Sequence, residues 1–492
     1  MAESTTPASP APSVPQPDHG DRNQLVIRLM LVATFVVFLN ETIMGVAIPR
    51  LMEDLQIEAS TAQWLTTAFM LTTAVVIPIT GFLMQRLSTR AVFILAMSLF
   101  SLGTLIAATA PGFTALLVGR IVQASGTAIM MPLLMTTVMT LVEPERRGRT
   151  MGNISIVMSV APALGPTISG LILSALDWRW IFIFVLPFAI GALVLGGLRV
   201  QNVTEPVRVP VDVPSVVLSA LAFGGLIYGL SSIGQAASGA AVIAPWIPLT
   251  VGALALAAFV ARQLSLQRGD RALLDLRTFH TRNFTVSVIL MAIAMSALFG
   301  TIIILPIYTQ NVLGLSPLTT GLLLLPGSLL MGLLGPVIGR LYDRFGPRPL
   351  VVPGAIIMSL ALWAMTLLGT DTPVGFVMLG HVTLSLGLAL IFTPLFATGM
   401  GSLSPALYPH GSATIGTVQQ LAGAAGTALF ITLMTTGSIA LADGGAAEAA
   451  ALAGGMRAAF FAGAVLSAPM VIASFFLTQP TADESVALGA AH

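Results

Sequence analysis

The chain has 492 residues, of which 56% are hydrophobic and only 8% charged, where a soluble domain carries about 25% charged residues. Its net charge of +1 offers nucleic acid no electrostatic partner, and the complete lack of lysine removes the residue a nucleotide-binding phosphate loop requires. No cysteine is present, which excludes disulfides and thiolate metal sites. What remains is an all-α polytopic membrane protein whose surface faces lipid.

In chain order, residues 1–23 are polar and proline-rich and read as a disordered tail. They show no basic segment followed by an apolar core and a cleavage site, so they are not read as a signal peptide. Apolar runs long enough to span a bilayer, about 20 residues each, then occur fourteen times. They lie near 24–48, 63–84, 91–110, 113–141, 152–174, 180–199, 213–234, 244–264, 284–310, 317–339, 349–369, 374–398, 412–438 and 457–478. With the N-terminus inside, 17 of the 21 arginines fall on inner segments, three on outer ends, and Arg120 within a span. This positive-inside bias places both termini in the cytoplasm.

The first span holds the stretch FVVFLNETIMGVAIPRL at 35–51, closed by Pro49 and Arg50. Its single acid, Glu41, is flanked by Asn40 and Thr42. A carboxylate in hydrocarbon costs about 2.5–3.5 kcal/mol on insertion scales, which makes it a functional candidate by default, here as a proton carrier. Arg120 lies seven residues into the fourth span and Glu41 seven before the outer end of the first. At about 1.5 Å per residue both sit roughly 10 Å below the outer edge. A Glu41–Arg120 pair, direct or through water, is therefore expected, for coupling or as a static tie between the two spans.

GFLMQRLSTR (81–90) after the second span matches GRLYDRFGPR (339–348) after the tenth, at an offset of 258 residues. The same offset carries the start of span one onto span nine. Two copies of a six-span unit follow, 24–199 and 273–478, separated by an insert at 200–272 that holds spans seven and eight; residues 479–492 form a second cytoplasmic tail. Parallel repeats of this kind place the substrate site between the halves near the midplane.

These motifs, in this order, resemble the major facilitator superfamily and, within it, the fourteen-span drug:proton antiporters. The loop motif Gly-x-Leu-x-Asp-Arg-x-Gly-x-Arg is matched by Gly81, Arg86 and Arg90, with Gln85 in the acid's place and Ser88 for the second glycine. The second copy keeps the acid, as Gly339, Asp343, Arg344, Gly346 and Arg348. The resemblance implies a conformational clamp, weaker at uncharged Gln85. Arg120 and Gln123 match the fourth-span Arg-x-x-Gln pattern. Gly165, Pro166 and Gly170 resemble the antiporter element of the fifth span, where small residues permit close helix approach and proline can kink the helix. The family's usual first-span Asp position is Asn40, and the acid stands one residue on, about 100° around the helix.

A major-facilitator fold is thus implied: two six-helix bundles plus two extra central transmembrane helices, N-in and C-in, in the cytoplasmic membrane. The implied activity is non-enzymatic export of amphipathic drugs or antibiotics by alternating access, driven by the proton gradient with no cofactor, nucleotide or metal. Asn40, Thr42, Gln123, Gln419, Gln420 and His381 are expected around the substrate cavity, His381 first as a helix contact. A dedicated exporter of one endogenous metabolite or self-made antibiotic, and a non-transporting receptor or scaffold, are the other readings the sequence leaves open.

Overall fold

The computed structural model describes residues 20–57, 59–202, 212–237 and 243–479. The polar tail up to residue 19, and the last residues from 480, lie outside the described residues. Fourteen long helices follow in order: α1 (Gly20–Leu55), α2 (Ala59–Arg86), α3 (Thr89–Ala108), α4 (Phe113–Leu141), α5 (Arg147–Ala175), α6 (Arg179–Arg199), α7 (Val213–Ala237), α8 (Trp246–Leu266), α9 (Arg282–Asn311), α10 (Pro317–Phe345), α11 (Arg348–Met365), α12 (Val374–Gly401), α13 (Tyr408–Asp443) and α14 (Glu448–Ser474). Among the described residues, thirteen helices are long and apolar enough to cross a membrane by length and composition. Leu171, Leu198, Leu254, Leu318 and Leu367 stand exposed around the outside. An apolar surface of this extent belongs in lipid rather than water.

Two limits differ from the sequence reading. Helix α1 starts at Gly20, inside the expected tail, and runs through Pro49 and Arg50 to Leu55. In a helix a proline deletes one backbone hydrogen bond without necessarily ending it, and here the turn beyond is braced by an Arg50–Glu53 ion pair at 3.2 Å.

Helices α1–α6 and α9–α14 repeat one packing scheme. In the first half α1 packs on α4, α5 and α6, α2 on α4, and α3 on α4 and α6; in the second, α9 packs on α12, α13 and α14, α10 on α12, and α11 on α12 and α14. The halves meet through equivalent crossings, α5 with α10 and α2 with α13. Glycine makes the α5–α10 crossing possible. A Cβ on Gly339 would stand 2.1 Å from the Gly148 carbonyl oxygen, and one on Gly152 would stand 2.2 Å from that of Gly335. Helix α7 lies against both α2 and α13, and α8 packs on α7. The two additional helices therefore cover one of the two seams and leave the other bare of them.

Candidate functional site

The fourth helix positions the buried base. Gly119 and Gly126 let α4 approach α3 so closely that a Cβ on Gly126 would lie 2.3 Å from the Ala96 carbonyl oxygen. This brings Thr104 of α3 to Gln123 of α4, whose Nε2 donates to the threonine hydroxyl at 2.8 Å. The Gln123 Oε1 in turn accepts from Arg120 Nη1 at 2.7 Å. The guanidinium carbon sits 4.1 Å from the ring centroid of Phe69 on α2, a cation–π contact in a water-poor setting. Arg120 is 1% exposed, and its Nε has no hydrogen-bond partner.

Glu41 of α1 lies near enough to Arg120 for the two charges to act on one another, but the two side chains make no direct contact, so of the pair expected, direct or through water, the direct form is not the one seen. Among the described residues no Glu41–Arg120 contact falls within 4.0 Å; the guanidinium instead rests on Gln123 and Phe69. The neighbour Asn40 is fully buried, and neither its amide oxygen nor its nitrogen has a partner. The first half thus holds an acid, a base and an unsatisfied amide around one region of α1, α2 and α4. Phe69 and Thr104 were not singled out from sequence; a lone aromatic in an apolar span carries no signal until its neighbour across the helix pair is known.

The other expected cavity residues are divided. Thr42 is committed to helix packing: its hydroxyl donates to Leu39 O at 3.0 Å and reaches Ala161 O of α5 at 3.5 Å. Gly165 allows this approach, since a Cβ there would meet Thr42 Oγ1 at 2.2 Å. Gln123 is likewise occupied by Arg120 and Thr104 rather than facing a cavity. Gln420 donates to Thr73 of α2 at 3.0 Å and so bridges the halves. His381 is buried with its ring against Gly327 of α10, where a Cβ would come within 2.6 Å of it. Gln419 does line a gap between α4, α12 and α13, with room for about one water molecule. Met131, Met135, Met400, Phe396 and Ser412 form its walls, and the Gln419 Nε2 is buried without a partner.

The motif residues gather at one end of the bundle. Asp343 reaches across to the start of α5, where its two oxygens accept from the backbone N–H of Gly148 at 2.7 Å and of Arg149 at 2.9 Å. A carboxylate there answers both the unpaired donors and the positive end of the helix dipole. Gly346 ends α10 at φ 77°, a left-handed conformation that favours glycine, whereas its counterpart Ser88, at φ −64°, caps α3 through its hydroxyl. Arg348 donates to Leu477 O beyond α14. Arg344 is exposed over Phe345, Arg86 stands 6.0 Å from the Phe82 ring, and Arg90 engages Asn202 through its backbone N–H. Gln85, in the position equivalent to Asp343, meets His410 Nε2 at 2.7 Å at the start of α13, and Gly81 lets the two helices approach there. His410 escaped the sequence reading, although the repeat implies that whatever faces Gln85 must sit at the start of α13.

Gly170 corrects an expectation. It is exposed, with open space where a Cβ would be, so it supports no close approach. Five residues beyond Gly165 it is turned about 140° away from the α1 contact. The Pro166 side chain lies outside the described residues.

Fold and motifs together define a membrane transporter, and the sequence comparisons agree. The Major Facilitator Superfamily model matches residues 30–427, and the chain belongs to that family. It is a multi-pass protein of the cell membrane and a transporter rather than an enzyme. It is 39% identical over 459 residues to the lincomycin resistance protein LmrB of Listeria monocytogenes, covering 92% of this chain and 96% of that one. It is 40% identical over 456 residues to the MFS-type transporter YcnB of Bacillus subtilis, covering 93% and 95%. A multidrug resistance protein B homolog of Mycobacterium tuberculosis is 29% identical over 408 residues, covering 82% and 75%. Among solved structures, the proton:xylose symporter XylE superposes with TM-score 0.66 at 14% identity over 96% of this chain and 99% of its own. The human organic anion transporter MFSD10 gives 0.64 at 18%, over 94% and 100%. At those identities they speak for the fold alone.

Proposed function

We propose that the protein is a proton-coupled antiporter that exports amphipathic drugs or antibiotics across the cytoplasmic membrane by alternating access. The observation that carries this reading is the first-half site: Glu41 and Arg120 are brought into one electrostatic neighbourhood without closing into an ion pair. A carboxyl left free of a permanent partner can take and release a proton during each cycle, while Arg120 remains anchored to Gln123 and Phe69. The unsatisfied Asn40 amide offers a substrate both a donor and an acceptor beside that charge. Relatives whose names record lincomycin and multidrug resistance support the substrate class.

The inter-half contacts at Gly148–Asp343, Ser155–Thr393 and Thr136–Ser412 lie in the halves of their helices nearer the motif loops. With those loops in the cytoplasm, as the arginine distribution implies, these contacts support a state closed to the inside. Protonation from outside would then release substrate from the Glu41 region, and deprotonation after the halves rock would restore its attraction for a cationic or hydrogen-bonding compound. One proton supplies about 1.4 kcal/mol per pH unit and about 2.3 kcal/mol per 100 mV, enough for concentrative export. A single acid makes exchange against a monovalent cation electroneutral and predicts poor export of divalent cations.

The test is substrate-triggered proton release from proteoliposomes under an imposed pH gradient, in wild type and Glu41→Gln. Release in wild type that disappears in the variant is the expected result. Release that survives in Glu41→Gln moves the coupling site elsewhere. No release from wild type with lipophilic cations or neutral antibiotics rejects the antiporter reading.

A further inference from the structure

The insert between the halves has no part in the site described above, yet its end is wired into the α2–α13 seam. Asp212 at the start of α7 receives both Arg262 Nε and Arg262 Nη2 of α8 at 2.7 Å. One residue further on, Gln263 is fully buried and completely used. Its Nε2 donates to Ser215 Oγ at 2.8 Å, and its Oε1 accepts from Leu273 N–H at 2.7 Å and Leu274 N–H at 3.2 Å. Those two leucines join Phe223 and Phe259 of the insert to Phe82 of α2 and Ala413 of α13 in one apolar cluster. The next residue, Asp275, donates its backbone N–H to His410 Nδ1 at 3.3 Å. His410 Nε2 in turn faces Gln85.

A neutral imidazole offers one donor and one acceptor nitrogen. Nδ1 accepts from the Asp275 N–H, and Nε2 meets the Gln85 amide Nε2 at 2.7 Å, with the tautomer setting the direction of that contact. The histidine is thus held from both sides, by α2 and by the segment leaving α8. The other charged groups acting on it, Asp275 and Arg277, are closed on one another as an ion pair.

We propose that α7, α8 and the segment to Asp275 form a latch: they stabilise the closed α2–α13 seam through Gln263 and His410, in place of the acid that Gln85 lacks. The α5–α10 seam is closed by Asp343 directly on backbone N–H groups, and among the described residues no segment of the insert straps it. The latch requires only that the halves rock against one another and does not depend on what drives them.

The absence of native cysteine permits spin labels at Arg90→Cys and Ala406→Cys, both exposed at this end on opposite halves. In bilayers, Gln263→Ala is expected to raise the population with the longer label distance at least about five-fold, since loss of one ordinary hydrogen bond already produces that change and Gln263 makes three. His410→Ala should open the seam to the same extent as Gln263→Ala, and the double variant no further. An unchanged distribution in Gln263→Ala, or additive opening in the double variant, overturns the latch. Hydrogen exchange on the unaltered protein gives a second measurement. The amides of Leu273, Leu274 and Asp275 should exchange faster during turnover than at rest, and equal rates in both conditions also overturn it.

Discussion

The two halves of the molecule share a packing scheme but distribute charge in opposite ways. The first half carries its charge inside the membrane, at Glu41 and Arg120, and meets its partner at the loop end through an uncharged amide, Gln85. The second half is neutral where it borders the cavity, at Gln419, and places its charge at the loop end, where Asp343 caps α5. The contrast separates two tasks. A mobile charge in the membrane interior serves coupling on the proposed reading, whereas a charge fixed on a helix end serves to hold a conformation. At Gln85, where the fixed charge is missing, a histidine and a segment from the insert take its place.

The sharpest way to break this division is at Arg120. Arg120→Lys keeps the charge but loses the planar fork that binds Gln123 and stacks on Phe69, and coupled export in everted vesicles is expected to fall at least about ten-fold. Gln419→Ala, on the neutral side, should instead shift apparent affinity several-fold for compounds bearing hydrogen-bond acceptors while leaving maximal rate near wild type. An equal loss of rate in both would erase the distinction.

The loop ends give the next largest contrast. Asp343→Ala strands two backbone donors at the start of α5, a cost of about 1–3 kcal/mol, and should slow export about ten-fold. Gln85→Ala removes one neutral hydrogen bond and should cost only about two- to five-fold. Initial rates for both variants at matched expression decide between this order and its reverse.

The smallest effect concerns the insert. Asp212 is held below the ordinary carboxylate range, chiefly by its hydrogen bonds to Arg262. A depressed folded-state value means that the stabilisation is fully present above the ordinary carboxylate range and is lost as pH falls toward the depressed value. The melting-temperature gap between wild type and Asp212→Asn should therefore be open at neutral pH and narrow in acid. A gap independent of pH would show that shape rather than charge holds α7 to α8.

Much of this was legible in the chain itself. Fourteen apolar runs, the arginine bias and the 258-residue repeat each rest on properties that a single helix carries alone, length and polarity above all. The repeated loop motif led directly to Asp343, and an acid or base in hydrocarbon is conspicuous wherever it stands. What escaped depends on rotation about helix axes. Sequence depth placed Glu41 and Arg120 at one level, but only packing showed that Gln123 and Phe69 had claimed the guanidinium. Gly165 and Gly170 look alike in one motif, yet a turn of about 140° separates them; one meets Thr42 and the other faces outward.

By itself, then, the sequence determined the membrane class, the order and number of long helices, the repeat and the family, because the cost of burying or exposing each residue in lipid is a local quantity. Only the tertiary structure decided which polar groups are already satisfied, that α7 lies along the α2–α13 seam, and that His410 stands between Gln85 and Asp275. Hydrogen bonds between helices depend on distances of a few tenths of an ångström and on the face each helix turns, neither of which any one segment encodes alone.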